Sequence, residues 1–142
     1  MVPNKKLLAE LLGIFSLPIL ILIIHIPFEV YDVYNLIWWI DIPMHFLGGL
    51  LIGRSYFLLI GLLQREDHMG NMHRFAHFVF VVSLVALTAV AWETQEFILD
   101  LTDNAMRQPG LANTMQDLIL GILGGTIGFA IQFFILENNQ HG

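Results

Sequence analysis

The stretch FAHFVFVVSLVALTAVAWETQEFIL, residues 75–99, decides the fold. From Phe75 to Trp92 it contains no Asp, Glu, Lys, Arg, Pro or Gly. A helix needs about 20 mostly apolar residues to cross the hydrocarbon core of a bilayer. This run supplies them, and then places Glu93 and Glu96 near one end of the same helix. The rest of the chain agrees with a membrane setting. Of 142 residues, 56% are hydrophobic and only 13% are charged, and mean hydropathy is +0.70. A soluble domain carries about 25% charged residues. A chain this apolar has too few polar side chains to cover a soluble surface.

Working outward, three further stretches are long and apolar enough to span: residues 7–26, 36–63 and 114–136. The first carries Glu10 near its start and Pro18 as an expected kink. Lys5 and Lys6 precede it as the basic region of a signal peptide would, but the run is long and has no small-x-small cleavage site, so a retained helix is expected. The second contains Asp41-Ile42-Pro43, where its regular part is expected to begin, with residues 36–40 at the interface. The joining segments 27–35, 64–74 and 102–113 are short and polar, which makes sequential helices antiparallel. The expectation is one all-α domain over residues 1–142, an integral membrane bundle of four transmembrane helices.

Orientation follows from the basic residues at helix ends. Lys5, Lys6, Arg65 and Arg74 lie on one side, and Arg107 alone on the other. Both termini are therefore expected on the cytoplasmic side of a plasma (inner) membrane. Tyr31, Tyr34, Trp38 and Trp39 would form an aromatic belt at the outer interface.

Charge within a span costs about 2.5–3.5 kcal/mol at the helix centre on insertion scales, and it tends to face the bundle interior and mark sites. Asp41 and His45 on the second helix, Glu93 and Glu96 on the third and Asp117 on the fourth are such groups. Topology places all five roughly 5–15 Å below the outer boundary, at 1.5 Å rise per residue. Each pair also shares a helix face, at i, i+4 and i, i+3. Asp117, Gly121, Gly124 and Gly128 form one stripe, and small residues line close helix contacts in membranes. Gly48 and Gly49, one turn below His45, suggest the same for the second helix. His45, Glu93 and Glu96 are expected to converge in one cavity, with Asp41 and Asp117 at its edge.

Four carboxylates and an imidazole are ligands that suit Zn²⁺, Mn²⁺ or Fe²⁺, and inward-facing carboxylate and His pairs build di-metal sites in helical bundles. A divalent metal on His45, Glu93 and Glu96 is one reading of the cluster. Acid–base chemistry through His45 is another. Each residue also has a structural reading. Asp41 before Pro43 suits a helix N-cap, and Thr114-x-x-Asp117 resembles a capping box. His25 is a candidate to join the site. Arg54 is placed to snorkel, and His68, His73 and His77 to be solvated or interfacial. Asp100, Asp103, Asn104 and Arg107 form an outer loop that suits either a head group or a solvated turn.

Several functions are excluded. A net charge of −6 argues against nucleic acid as a partner. With no cysteine, thiolate sites and disulfides are out. There is no phosphate-binding glycine loop, nucleotide fingerprint or Ser-His-Asp arrangement. A proton- or ion-conducting module is disfavoured rather than excluded: a relay should spread acids through the membrane depth, and the inner half is nearly acid-free.

The motifs Asp41-Ile-Pro-Met-His45-Phe46, Trp92-Glu93-Thr94-Gln95-Glu96 and Asn113-Thr114-Met115-Gln116-Asp117-Leu118 resemble those of bacterial inner-membrane proteins of the YjdF type. More distantly they resemble the VanZ-like proteins, named for a teicoplanin-resistance member. The resemblance covers roughly residues 36–130 and implies a multi-helix membrane fold with polar residues near one face. It carries over to Asp41, His45, Glu93, Glu96 and Asp117. Asn113 stands where the YjdF type favours Asp, and Gly121 where VanZ-like proteins favour Asn, so no ligand role carries over there.

Two functional classes follow. In the first, an outer-facing acidic/His site binds, and acts on, a lipid-linked or envelope substrate, with membrane lipid as its partner. In the second, a non-catalytic membrane scaffold uses the polar cluster to fix helix packing.

Overall fold

The computed structural model describes residues 5–103 and 107–140, apart from the side chains of Asp103 and Gln140. Asn104, assigned from the sequence to the outer loop, lies outside the described residues. The elements are α1 (Lys5–Val30), α2 (Val33–Leu36), a 3-10 turn (Trp38–Ile40), α3 (Asp41–Arg65), α4 (Arg74–Asp103) and α5 (Leu111–Gln140). Among the described residues, four helices are long and apolar enough to cross a membrane: Lys5–Val30, Trp38–Arg65, Arg74–Thr102 and Leu111–Asn139. The protein is an all-α bundle of four transmembrane helices.

The first helix runs on through Pro27 to Val30, beyond the expected end at residue 26. Proline removes one donor from the helical ladder, and in a membrane a neighbouring helix can satisfy the freed carbonyl. Pro18 shows how. It cannot donate to the Ile14 carbonyl, and the fully buried Ser55 hydroxyl of α3 donates to that oxygen instead, at 2.7 Å. Phe15 packs edge-on against Tyr56, and Glu10 pairs with Arg65. α1 therefore runs antiparallel to α3.

The centre of the bundle is the seam between α3 and α5. A Cβ on Gly49 would collide with the backbone of Gly121, and one on Gly53 with Gly125. From the other side, Gly124 abuts Phe46 and Gly128 abuts Leu50. Both residue series ascend together, so α3 and α5 are parallel, with their backbones in contact along about two turns. α4 returns antiparallel to both. Val85 fills the space over Gly125, Tyr56 hydrogen-bonds Thr88 at 2.7 Å, and Arg74 pairs with Glu137 at 2.6 Å. Phe57, Ile60, Val81, Val85 and Phe129 form the buried apolar core toward the Arg65 end.

His77 departs from its expected interfacial setting. Its ring stacks on Phe57 with centroids 4.6 Å apart and meets Phe129 edge-on. It lies on the α4 face that turns inward, one helical turn before the buried Val81.

Candidate functional site

At the opposite end from that core, the bundle gathers its buried polar groups. Asp41 occupies the first turn of α3 and makes no side-chain cap, because the cap position falls to Ile40. Its carboxylate faces His45 one turn on instead: His45 Nε2 lies 3.2 Å from Asp41 Oδ1. The other ring nitrogen, Nδ1, lies 3.8 Å from Glu93 Oε1 on α4, beyond hydrogen-bond length. His45 thus stands between two carboxylates. Two sets of donor atoms each gather within 4.8 Å: Asp41 with His45 and Asp117, and His45 with Glu93 and Glu96. The imidazole belongs to both.

Asp117 is not a cap either, since α5 begins at Leu111 and leaves Asp117 in the helix interior. It is also not at the edge of the site. At 2% exposure it is the most deeply buried of the five. The backbone contact of Gly49 with Gly121, one turn further along α5, draws α5 close enough to enclose it.

The buried acids differ in what holds them. Trp92 Nε1 donates to Glu96 Oε1 at 2.8 Å. Gln108 Nε2 donates to Glu93 Oε2 at 3.0 Å and to the Glu93 carbonyl at 2.7 Å. Asp117 Oδ1 is buried with no hydrogen-bond partner among the described residues. Buried polar atoms are nearly always paired, so such an exception calls for an explanation.

Above the cluster, Arg107 bridges Glu29 at 2.9 Å and Asp100 at 3.2 Å. Asp100 also accepts from the backbone N–H groups of Arg107 and Gln108, at 3.1 and 2.9 Å. Arg107 and Gln108 therefore lie against the site, and Arg107 ties the ends of α1 and α4 together. His25 joins from α1: its Nδ1 is hydrogen-bonded to the Tyr34 hydroxyl at 2.7 Å, and its ring meets Trp92 edge-on. Tyr34 lies between the spans, and burial, aided by the nearby Asp41 carboxylate, pushes its phenol above the ordinary value. It stays a neutral hydrogen-bonding group at any physiological pH.

Gln108, Glu29 and Trp92 are the site residues that sequence reasoning did not single out. Trp92 sits one turn before Glu96, a spacing that brings side chains together on a helix. Glu29 and Gln108 lie in or next to segments read as loops, and only their distant partners give them a role.

A cavity of about 580 Å³ opens beside this cluster, between α1, α3, α4 and the first turns of α5. His25, Tyr34, Asp41, His45, Glu96 and Arg107 line one end of it. Phe15, Ile19, Leu22, Gly48, Ile52 and Val85 line the other. Phe15 and Glu29, both in the wall, are separated by about 21 Å along α1 at 1.5 Å per residue. Glu93 and Asp117 stand behind the wall and do not line the cavity.

These features define an all-helical integral membrane protein with a buried acidic/His cluster at one end and an elongated cavity beside it. Residues 10–138 match the family described as "Predicted membrane protein (DUF2238)", and the chain belongs to that family. No curated protein and no solved structure matches it.

Proposed function

We propose that the chain binds an amphiphile, a lipid-linked or envelope molecule, with its head against Asp41, His45 and Glu96 and its apolar chain along α1. The observation that carries this is the single cavity joining a polar end to an apolar one. Ligand sites are typically apolar clefts with a few convergent polar groups. The head-group end is rich in carboxylate acceptors, which favours a head with several donors, such as hydroxyls or an amine. His45, with a carboxylate on either side, is the group positioned for acid–base work on that head. The Lys/Arg balance supports a site opening toward the outer face of the plasma (inner) membrane, with both termini cytoplasmic. The likeness of the three motifs to YjdF-type and VanZ-like proteins supports an envelope setting.

Gly48 supplies the test. It lines the cavity, and a Cβ there would meet nothing within 4 Å. Gly48→Leu should fill the groove without disturbing the fold. Native mass spectrometry of protein extracted in mild detergent should show a bound amphiphile on the wild type, reduced at least tenfold on Gly48→Leu, with an unchanged melting temperature. Equal retention by both proteins counts against the reading.

The scaffold reading has one observation in its favour: Glu93 and Glu96 are already bonded to Gln108 and Trp92, as acids that lock helix register would be. It predicts that Glu96→Gln lowers the melting temperature while amphiphile retention is unaffected. The cavity and the unpartnered Asp117 oxygen weigh against it.

A further inference from the structure

We infer that Asp41, His45 and Asp117 form a site for a divalent first-row transition ion, of the Zn²⁺ or Mn²⁺ class, beside the cavity. The inference concerns the same end of the bundle as the amphiphile reading but stands on separate observations. Asp41, His45 and Asp117 offer donor atoms within 4.8 Å of one another, from two helices whose backbones are in contact. Two carboxylates and an imidazole are donors that this class of ion accepts. Clustered carboxylates taken out of water repel one another, and a cation relieves that repulsion.

Asp117 points to a ligand independently of the cluster. Its side chain is enclosed and offers a carboxylate oxygen within 4.8 Å of donor atoms of Asp41 and His45, and its Oδ1 has no protein donor among the described residues. A metal ion would complete its coordination. This separates the two donor groups. Glu93 and Glu96 already accept from Gln108 and Trp92, so their oxygens are partly occupied. The assignment therefore moves from the His45–Glu93–Glu96 set that the sequence suggested to the Asp41–His45–Asp117 set.

The imidazole is oriented to serve it. Nε2 is the nitrogen beside Asp41, and Nδ1 faces the Glu93 carboxylate. Metal-bound histidines commonly give their other N–H to a carboxylate, which fixes the tautomer and strengthens the ligand. Glu93, itself held by Gln108, is the carboxylate on that side; at 3.8 Å it is too far for a hydrogen bond and acts on the ring through its charge. Three protein donors leave a coordination position open, the pattern of catalytic rather than structural zinc. Asp41 and His45 line the cavity, so the open position would be reached from the cavity side.

The experiment is metal titration of the tag-free, full-length protein in detergent, after stripping with EDTA. Calorimetry with Zn²⁺ should give one equivalent per chain, matched by elemental analysis after desalting. Asp117→Asn should weaken binding at least tenfold and abolish the rise in melting temperature that Zn²⁺ gives the wild type. Glu10→Gln, at the far end of the bundle, should bind as the wild type does. Should Asp117→Asn not fold, Asp41→Asn carries the same expectation. Absence of stoichiometric binding, or wild-type affinity in a folded Asp117→Asn protein, overturns the site. Loss of binding in Glu96→Gln with none in Asp117→Asn overturns the assignment in favour of the other donor set. Amphiphile retention measured in EDTA is independent of the ion, and titration in lipid-free detergent is independent of the amphiphile. Failure of one reading is thus distinguishable from failure of the other.

Discussion

Gly48 and Gly49 are neighbours in sequence and face opposite structural situations. Gly49 presses on the backbone of Gly121, where no other residue fits, while Gly48 borders open space in the cavity wall. The same contrast separates the two seams of α3. Toward α5 it is parallel and built on backbone contact. Toward α1 it is antiparallel, joined by a hydrogen bond, an aromatic contact and an ion pair, with the cavity between. Helix association in a membrane depends on packing and interhelical hydrogen bonds, since lipid is as apolar as the helices. The α5 seam uses the first means and the α1 seam leans on the second. The half joined by backbone contact encloses Asp117, and the half joined by a few side-chain contacts leaves room for a ligand.

The largest test of this contrast is Gly49→Leu. The new side chain has backbone rather than a flexible side chain to displace. Overpacking typically costs about 1–3 kcal/mol, occasionally more, and here the upper end is expected. Thermal unfolding in detergent should show a large loss for Gly49→Leu and none for Gly48→Leu. Equal losses would erase the distinction between the seams.

Ser55→Ala probes the other seam on a smaller scale. Interhelical hydrogen bonds in a membrane protein average about 0.6 kcal/mol by double-mutant cycles. Ser55→Ala should cost about that much, and in a Pro18→Ala background less, because the Ile14 carbonyl would regain its donor within α1. Additive effects in the cycle would show that Pro18 and Ser55 are not coupled.

The smallest expected effect is confined to alkaline solution. Tyr34 has a folded-state pKa above its ordinary value, chiefly through burial. Below about pH 10 the phenol is neutral in folded and unfolded chains alike, so its contribution to stability is fully present. Above that the unfolded chain ionises first, and stability falls as pH rises. Tyr34→Phe should flatten that alkaline limb. In ultraviolet titration Tyr34→Phe should remove a phenol that ionises above the ordinary value. Loss of a component at the ordinary value instead would mean that Tyr34 is solvated.

How much of this the sequence carried differs between the seams as well. The four spans, the shared depth of the five polar residues and the packed face of α5 follow from apolar length, helical rise and the glycine spacing. Those rules fix depth and azimuth along a helix. They do not fix the distance between helices, so nothing in the sequence distinguished Gly48 from Gly49. α1 is apolar around its whole circumference, and no periodicity marked the face that borders the cavity. The caps read at Asp41 and Asp117 were locally sound, but α5 starts earlier than its polar first turn suggested and turned Asp117 into an interior residue. The partnerships of Gln108 with Glu93 and of Arg107 with Glu29 join distant parts of the chain.

The bond from Ser55 to the Ile14 carbonyl bears on how a ligand would enter. A slide of α1 by one turn, about 5.4 Å, would strand a carbonyl and a hydroxyl together in hydrocarbon. A tilt about that contact leaves the bond intact. The same tilt would carry the length of α1 beyond Pro18 away from α3 only by parting Glu29 from Arg107 and His25 from Trp92. Ile14 and Ser55 thus set the register of α1, and Arg107 is the latch that a ligand entering beside α1 would have to release.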